Sequence, residues 1–141
     1  MASSLISNSD AAVSIANSAL RAQQQRMRVI AENIANSDST ATTPGGDPYQ
    51  RQVPVFEPHT TDDGGQGVRM AGIRADTAAF HSEYNPSAPG ADAKGYLKTS
   101  NVDPLTEAMD LKEAQRAYES NLNVIQAMNS IEMRTLDIIK K

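Results

Sequence analysis

The stretch SDAAVSIANSALRAQQQRMRVIAENIAN, residues 9–36, decides the fold because apolar side chains recur in it at every seventh position. With the residues just before it, the repeat comprises Ile6, Val13, Leu20, Met27 and Ile34. A seven-residue apolar spacing keeps one seam of an α-helix turned toward a partner helix. We therefore predict a helix from about Ser9 to Asn36, after a short frayed end, that packs along this seam.

The other end of the chain has the same spacing. The repeat there comprises Leu111, Tyr118, Ile125 and Ile139, with only Glu132 interrupting it. Asp103-Pro104 marks a helix start, because Asp is favoured at the N-cap and Pro at the first helical position. The sequence thus predicts a second helix, from Pro104 to about Ile139, that pairs with the first one as a coiled coil.

The residues between the helices contain all the glycines and all but one of the prolines. Alternating patterns predict strands over 49–57 and 67–75 that form a hairpin, then an extended loop over 81–95 and a short strand at Tyr96-Leu97. The predicted fold class is α+β, mainly α, with long paired terminal helices and a small irregular β-hairpin region between them. The predicted segments are the N-terminal helix, the β- and loop-rich middle and the C-terminal helix, at residues 1–36, 37–102 and 103–141.

The C-terminal helix carries a second apolar stripe at Val124, Ile131 and Ile138, again seven residues apart. A single partner helix covers only one stripe, and a helix with a wide apolar arc is buried from several sides. We interpret the second stripe as a contact with another molecule. The alternative is that this stripe folds onto the chain's own β segment.

The composition indicates a small hydrophobic core. Leu, Ile, Val and Phe account for 25 of 141 residues, or about 18%, which is below the roughly 20% associated with ordered domains. We infer that the isolated monomer is partly disordered and needs partners to bury its seams. The net charge of −4 argues against a nucleic-acid binder, which usually has a basic face.

The sequence has no recognisable catalytic, cofactor-binding or metal-binding motif. It has no cysteine, and its two histidines, His59 and His81, lie in separate regions without a carboxylate at ligand spacing. We therefore predict that the protein is not an enzyme and binds no cofactor. No apolar run approaches the about 18 residues of a membrane span, and the N-terminus lacks the pattern of a cleaved signal peptide.

Several motifs occur together and in order. The first helix ends in Ala31-Glu-Asn-Ile-Ala-Asn36, a stretched turn over 39–51 contains Thr-Pro-Gly-Gly-Asp-Pro, and the segments 100–107 and 114–121 read SNVDPLTE and AQRAYESN. This series resembles the bacterial flagellar rod, hook and hook-junction proteins over nearly the whole chain. The stretched turn is most similar to that of a proximal rod member of this family.

The resemblance implies a structural subunit of the proximal rod of the bacterial flagellar basal body, which transmits torque and lines the export channel. The implied partners are copies of itself, other rod proteins, the MS ring with its adapter protein and the type III export apparatus. The implied location is the periplasmic space, reached without a cleaved signal peptide; nucleic-acid binding and membrane spanning are not implied. The alternative is a secreted coiled-coil adaptor outside the flagellum, which would have no need for the stretched turn.

The helix end suggests a further hypothesis, that the amides of Asn33 and Asn36 cap the first helix and fix the turn into the β region. The alternative is an ordinary frayed helix end with amides facing solvent. The candidate assembly residues are Val13, Leu20, Met27, Ile34, Asn33, Asn36, Leu111, Tyr118, Ile125, Val124, Ile131 and Ile138.

Overall fold

The described residues form two long helices and four strands. The computed structural model describes residues 2–140, with the side chains of residues 8–138 and of Lys140; the side chains of the predicted seam residues Ile6 and Ile139 lie outside this description. In chain order the elements are α1 (Ala2–Ala35), β1 (Gln52–Thr60), β2 (Gln66–Ala75), β3 (His81–Tyr84), β4 (Tyr96–Thr99) and α2 (Pro104–Ile139). The fold is α+β and mainly α, with α1 and α2 paired, as the sequence predicts.

Helix α1 begins earlier than its sequence suggests. It starts at Ala2, so the prediction of a frayed end before Ser9 is wrong. Serine lowers helix stability only slightly, and the Ala, Leu and Ile residues among these serines continue the helical pattern. At its other end α1 stops at Ala35, and the backbone N–H of Asn36 donates to the carbonyl oxygen of Glu32 at 3.2 Å.

Helix α2 begins and ends where the sequence predicts. The carboxylate of Asp103 caps it by accepting hydrogen bonds from the Thr106 hydroxyl at 2.6 Å and from the Leu105 N–H at 3.1 Å. These two bonds hold the pKa of Asp103 below its ordinary value of 3.8. The N-cap signal in the sequence therefore has its expected physical basis.

The strands form two separate two-stranded sheets. Strands β1 and β2 make a hairpin whose loop is closed by a bond from the Thr61 N–H to the Gly65 carbonyl oxygen at 2.8 Å. Strands β3 and β4 are antiparallel, with His81 opposite Thr99 and Tyr84 opposite Tyr96. The extended loop predicted over 81–95 is therefore wrong for residues 81–84, because these residues become a strand by pairing with β4 rather than through a pattern of their own.

The chain divides into two compact units, and each helix contributes residues to both. Unit 1 comprises the residues up to Arg26, Val55–Gly72 and the residues from Glu113 onward; unit 2 comprises Met27–Pro54 and Ile73–Lys112. The division into segments 1–36, 37–102 and 103–141 stays a prediction.

In unit 1, the β1–β2 hairpin lies against α1. The backbone N–H of Val68 donates to the Ser18 hydroxyl oxygen at 3.1 Å, and the Ser14 hydroxyl donates to a carboxylate oxygen of Asp63. A Cβ atom at Gly67 would lie 2.4 Å from the Ser18 hydroxyl oxygen, so the lack of a side chain permits this close approach. The helices meet in the same unit through an ion pair between Arg26 and Glu113 at 3.6 Å.

In unit 2, the residues after α1 add to the free edge of β4. Thr40 bridges Thr99, and the Ala41 N–H donates to the Lys98 carbonyl oxygen at 3.0 Å. Gly90 packs under this contact so closely that a Cβ atom there would lie 1.8 Å from the Ala41 carbonyl oxygen. The loop between β3 and β4 is therefore held against the chain that leaves α1.

Candidate assembly sites

Unit 2 contains a buried polar cluster, which we define as Asn33, Tyr49, Arg51, Gln52 and Glu107. At its centre is Asn33, whose exposed fraction is 1%. Its Nδ2 donates to the Gln52 carbonyl oxygen at 2.8 Å and to Glu107 Oε2 at 3.1 Å. Its Oδ1 accepts from the Tyr49 hydroxyl and from the Gln52 N–H, each at 2.9 Å. One amide thus uses its full hydrogen-bonding capacity to join α1, the start of β1 and α2.

The acidic member of the cluster is Glu107, which has no exposed surface. A buried carboxylate is costly unless it is paired and hydrogen-bonded. Arg51 meets this need with its Nε 2.5 Å from Glu107 Oε1, and it also pairs with Asp76 at 3.2 Å and with Asp110 at 3.6 Å. Burial lowers the pKa of Arg51, but the bonds to Glu107 and Asp76 outweigh this effect and raise it overall. Arg51 therefore stays charged.

Tyr49 and the neighbouring Asn101 complete the hydrogen bonding of the cluster. Burial, followed by the charges of Glu32 and Glu107, raises the pKa of Tyr49, so its hydroxyl remains a donor to Asn33 at neutral pH. The Asn101 Oδ1 accepts from the Arg51 N–H at 2.7 Å, and its Nδ2 donates to the Ala78 carbonyl oxygen at 3.0 Å. The arrangement fixes the chain path around β1 without leaving any of these groups unpaired.

The second predicted asparagine lies in a different environment. Asn36 is exposed, and its Nδ2 donates to the Glu32 carbonyl oxygen at 2.8 Å, in the last turn of α1. Asn36 therefore satisfies a helix-end carbonyl, whereas Asn33 reaches the turn, the strand and α2. A role of either residue in assembly stays a prediction.

The predicted inner seam lies on half-buried faces of the two helices. Its described members on α1 are Val13 and Leu20 in unit 1 and Met27 and Ile34 in unit 2. Its described members on α2 are Leu111 in unit 2 and Tyr118 and Ile125 in unit 1. One polar side chain shares the seam of α1: Gln23 has a buried Oε1 without a hydrogen-bond partner among the described residues.

The second predicted stripe, which we call the outer stripe, is Val124, Ile131 and Ile138 in unit 1. The exposed fractions of these residues are 43%, 57% and 76%. The same end of α2 also exposes Met133 and Leu136, at 65% and 45%. Exposed apolar side chains that gather on one element mark interaction surfaces. The end of α2 is therefore the leading candidate for contact with another molecule.

Unit 2 also has an open cavity of about 470 Å³ between β3, β4 and the preceding loops, lined by Phe80, His81 and Lys98 among others. Within residues 2–140 no group of three or more His, Asp or Glu side chains is placed to hold a metal ion. None of the described helices is long and apolar enough to cross a membrane.

Sequence reasoning missed most of the polar cluster. It identified Asn33 but assigned no partner to Arg51 or Glu107. A signal was present, because Glu107 lies four residues before Leu111 on the seam face of α2. A charged residue at a seam position indicates a buried partner of opposite charge.

Comparison with known proteins connects both helices to one family. A family model described as flagella basal body rod protein matches residues 14–41, and a model of the C-terminal region of flagellar basal body rod FlgEFG proteins matches residues 93–138. The chain is 40% identical over 131 residues to the flagellar basal-body rod protein FlgC of Agrobacterium fabrum, which covers 92% of this chain and 94% of that relative.

Similar values hold for FlgC proteins of two other organisms. Identity to the FlgC protein of Salmonella typhimurium is 39% over 127 residues, covering 88% of this chain and 92% of the relative. Identity to the FlgC protein of Borreliella burgdorferi is 37% over 146 residues, covering 91% and 95%. The similarity thus extends across both helices and the region between them.

Proposed function

The chain belongs to the family of flagellar basal-body rod proteins FlgC, and from this membership we propose that it is a structural subunit of the proximal rod, which transmits motor torque and lines the export channel. The relatives are named for a place in an assembly rather than for a reaction. We accordingly assign it no catalytic activity.

The mechanical part of the proposal concerns stiffness. A helix of 36 residues such as α2 is about 54 Å long, and its bending is resisted when its apolar faces are held by neighbours. Paired α1 and α2 helices would form the inner wall around the channel. The β hairpins would contribute contacts farther from the channel.

The proposed partners are copies of this chain, other rod proteins, the MS ring with its adapter protein, and the type III export apparatus that delivers the subunit. The proposed location is the basal body in the periplasmic space. The described buried apolar residues of unit 1 are Ala16, Ala22 and Ala114, and this supports the reading because so small a core gains stability from further partners. Nucleic acid is not among the proposed partners.

The outer stripe is the observation that carries the proposal. Its three residues are exposed on the described chain, although they repeat at the spacing that keeps one face of a helix against a partner. In the proposed rod, this face is covered by a neighbouring subunit. The half-buried seam residues would pack between the helices of the inner wall, and Asn33 and Asn36 would fix the end of α1 within it.

A charge on the outer stripe tests the proposal. Ile131→Glu places an ionised group where apolar contact is expected, so subunits should still be exported but should not incorporate into rods. The measurement is the amount of this chain in purified basal bodies, together with swimming in soft agar, in a strain that lacks its own copy.

The matched control is Gln126→Glu, which adds the same charge on the same helix at an exposed position off the stripe. This variant should incorporate and swim like the unchanged protein. Normal incorporation of Ile131→Glu would show that the outer stripe is not buried in the rod. An equal loss of incorporation in both variants would show that the added charge, and not its position on the outer stripe, prevents assembly.

A further inference from the structure

The heptad seams of α1 and α2 leave the pairing register open. If α2 moved by one heptad along α1, Tyr118 and Ile125 would take the places of Leu111 and Tyr118. Apolar contacts are not directional, so the shifted pairing would retain part of the favourable free energy of burying the seam residues. Something other than the apolar repeat must therefore select the observed register.

The polar cluster supplies this selection. Within the same row of α2, the residues at seven-residue intervals are Glu107, Ala114, Asn121 and Met128. Among them only Glu107 has a carboxylate that can accept from both Arg51 and Asn33, as it does at 2.5 and 3.1 Å. In the shifted register Ala114 would face these donors, and the buried amide of Asn33 would lose a partner.

We propose that the polar cluster is a register lock, because the pairing shifted by one heptad would separate Asn33 and Arg51 from Glu107, whereas the observed pairing joins them. Removing one member of a buried hydrogen-bonded charge pair is strongly unfavourable, whereas replacing the whole pair by apolar groups is often nearly neutral for stability. The lock therefore acts on specificity: it penalises the shifted pairing more than it stabilises the correct one. Buried polar residues at seam positions of coiled coils act in this manner.

Asn33 extends the lock to the strand. The same side chain that binds Glu107 also binds the N–H and the carbonyl oxygen of Gln52. The register of α2 and the start of β1 are therefore set by one amide. Loss of the correct register should therefore weaken the bonds of Asn33 both to Glu107 and to the Gln52 backbone.

Cysteine cross-linking in the full chain tests the lock, because the chain has no native cysteine. The side-chain ends of Arg26 and Glu113 are 3.6 Å apart, so Arg26→Cys with Glu113→Cys, joined by a short bismaleimide linker that replaces the length of the two removed side chains, reports the observed register. Arg26→Cys with Ser120→Cys and the same linker reports the pairing shifted by one heptad. In the otherwise unchanged chain, only the first pair should be cross-linked.

The decisive variant is Arg51→Met with Glu107→Leu, which removes both charges together. We expect helix content to be retained, with some loss of melting temperature because Asn33 Nδ2 loses its bond to Glu107, while the 26–120 cross-link appears at a level comparable with the 26–113 cross-link. Glu57→Leu with Arg69→Met removes another ion pair, one with its atoms 2.6 Å apart on exposed side chains, and should give no 26–120 cross-link.

A second variant keeps the test informative if the double variant does not fold. Glu107→Gln keeps the shape of the side chain and should give a smaller but measurable 26–120 fraction, with faster hydrogen exchange at the Gln52 N–H. Exclusive 26–113 cross-linking in both cluster variants would overturn the proposal. So would equal 26–120 cross-linking in the control pair.

Discussion

The two units of the chain differ in what they bury. Among the described side chains, the buried apolar residues of unit 2 are Val29, Ile30, Ala41, Leu97 and Val102, whereas those of unit 1 are Ala16, Ala22 and Ala114. Alanine removes little apolar area from water, so unit 1 gains less from burial within the chain. Unit 2 buries larger apolar side chains within the chain, whereas several large apolar side chains of unit 1, among them Val124, Ile131 and Ile138, are exposed.

The largest expected effect comes from breaking the polar cluster of unit 2. Asn33→Ala would remove four hydrogen bonds and leave Glu107 and the Gln52 backbone short of partners. We expect a loss of about 3 kcal/mol or more in the free energy of unfolding. Chemical denaturation followed by circular dichroism measures this loss.

The control for that change is the neighbouring asparagine. Asn36→Ala removes one exposed bond to the Glu32 carbonyl oxygen, so the expected loss is less than about 1 kcal/mol. Similar losses in the free energy of unfolding of the two variants would show that the buried hydrogen bonds of Asn33 contribute no more to stability than the exposed bond of Asn36.

A smaller effect is expected where unit 2 packs backbone against backbone. Gly90→Ala would force a methyl group into the Ala41 carbonyl oxygen, at a cost of about 1–3 kcal/mol from the required backbone shift. Gly72→Ala is the matched control, because a Cβ atom there would meet nothing within 4 Å. Thermal melts of the two variants measure the difference, and equal melting temperatures would contradict the close contact.

The smallest effect concerns the start of α2 and depends on pH. Since the folded-state pKa of Asp103 lies below 3.8, ionised Asp103 stabilises the fold fully above that value, and the contribution is lost as the pH falls through the lowered pKa. Asp103→Asn keeps a capping oxygen that does not titrate. Its melting temperature should therefore fall less than that of the unchanged chain between about pH 6 and about pH 3.

Asp103→Ala provides the comparison for this measurement. It removes the cap at every pH, so its melting temperature should be lower than that of the unchanged chain even near neutral pH. An Asn variant with the same acid sensitivity as the unchanged chain would argue against a role of the Asp103 charge.

The features predictable from sequence were those with local causes. The start of α2 depends on Asp103 and Pro104, which act on the turn that follows them. The long helices follow from apolar repeats within each segment, and the β1–β2 hairpin follows from two short alternating runs joined by a glycine-rich turn. The family resemblance was also readable, because its motifs are short and continuous.

The missed features depend on residues far apart in the chain. Strand β3 exists through its pairing with β4, and its own four residues are all exposed. The polar cluster joins Asn33 to Glu107 across 74 positions, and although Glu107 stands at a seam position, nothing local in the sequence identifies Asn33 as its partner. The early start of α1 was missed for a different reason, because serines near a helix end are as compatible with the helix as with its cap.

The separation of the paired helices along the chain has a kinetic consequence. A protein that is half helical would ordinarily fold within microseconds to milliseconds, because its contacts are local. Here the Asn33–Glu107 bond spans 74 positions, and the bond between the hairpin and α1 at Ser18 and Val68 spans 50. The two partners of each bond must come together before the bond can form. The conformational entropy that is lost in closing the intervening loop therefore precedes any gain from packing. The folding rate of this mostly helical chain should therefore be closer to that of a protein dominated by non-local strand pairing.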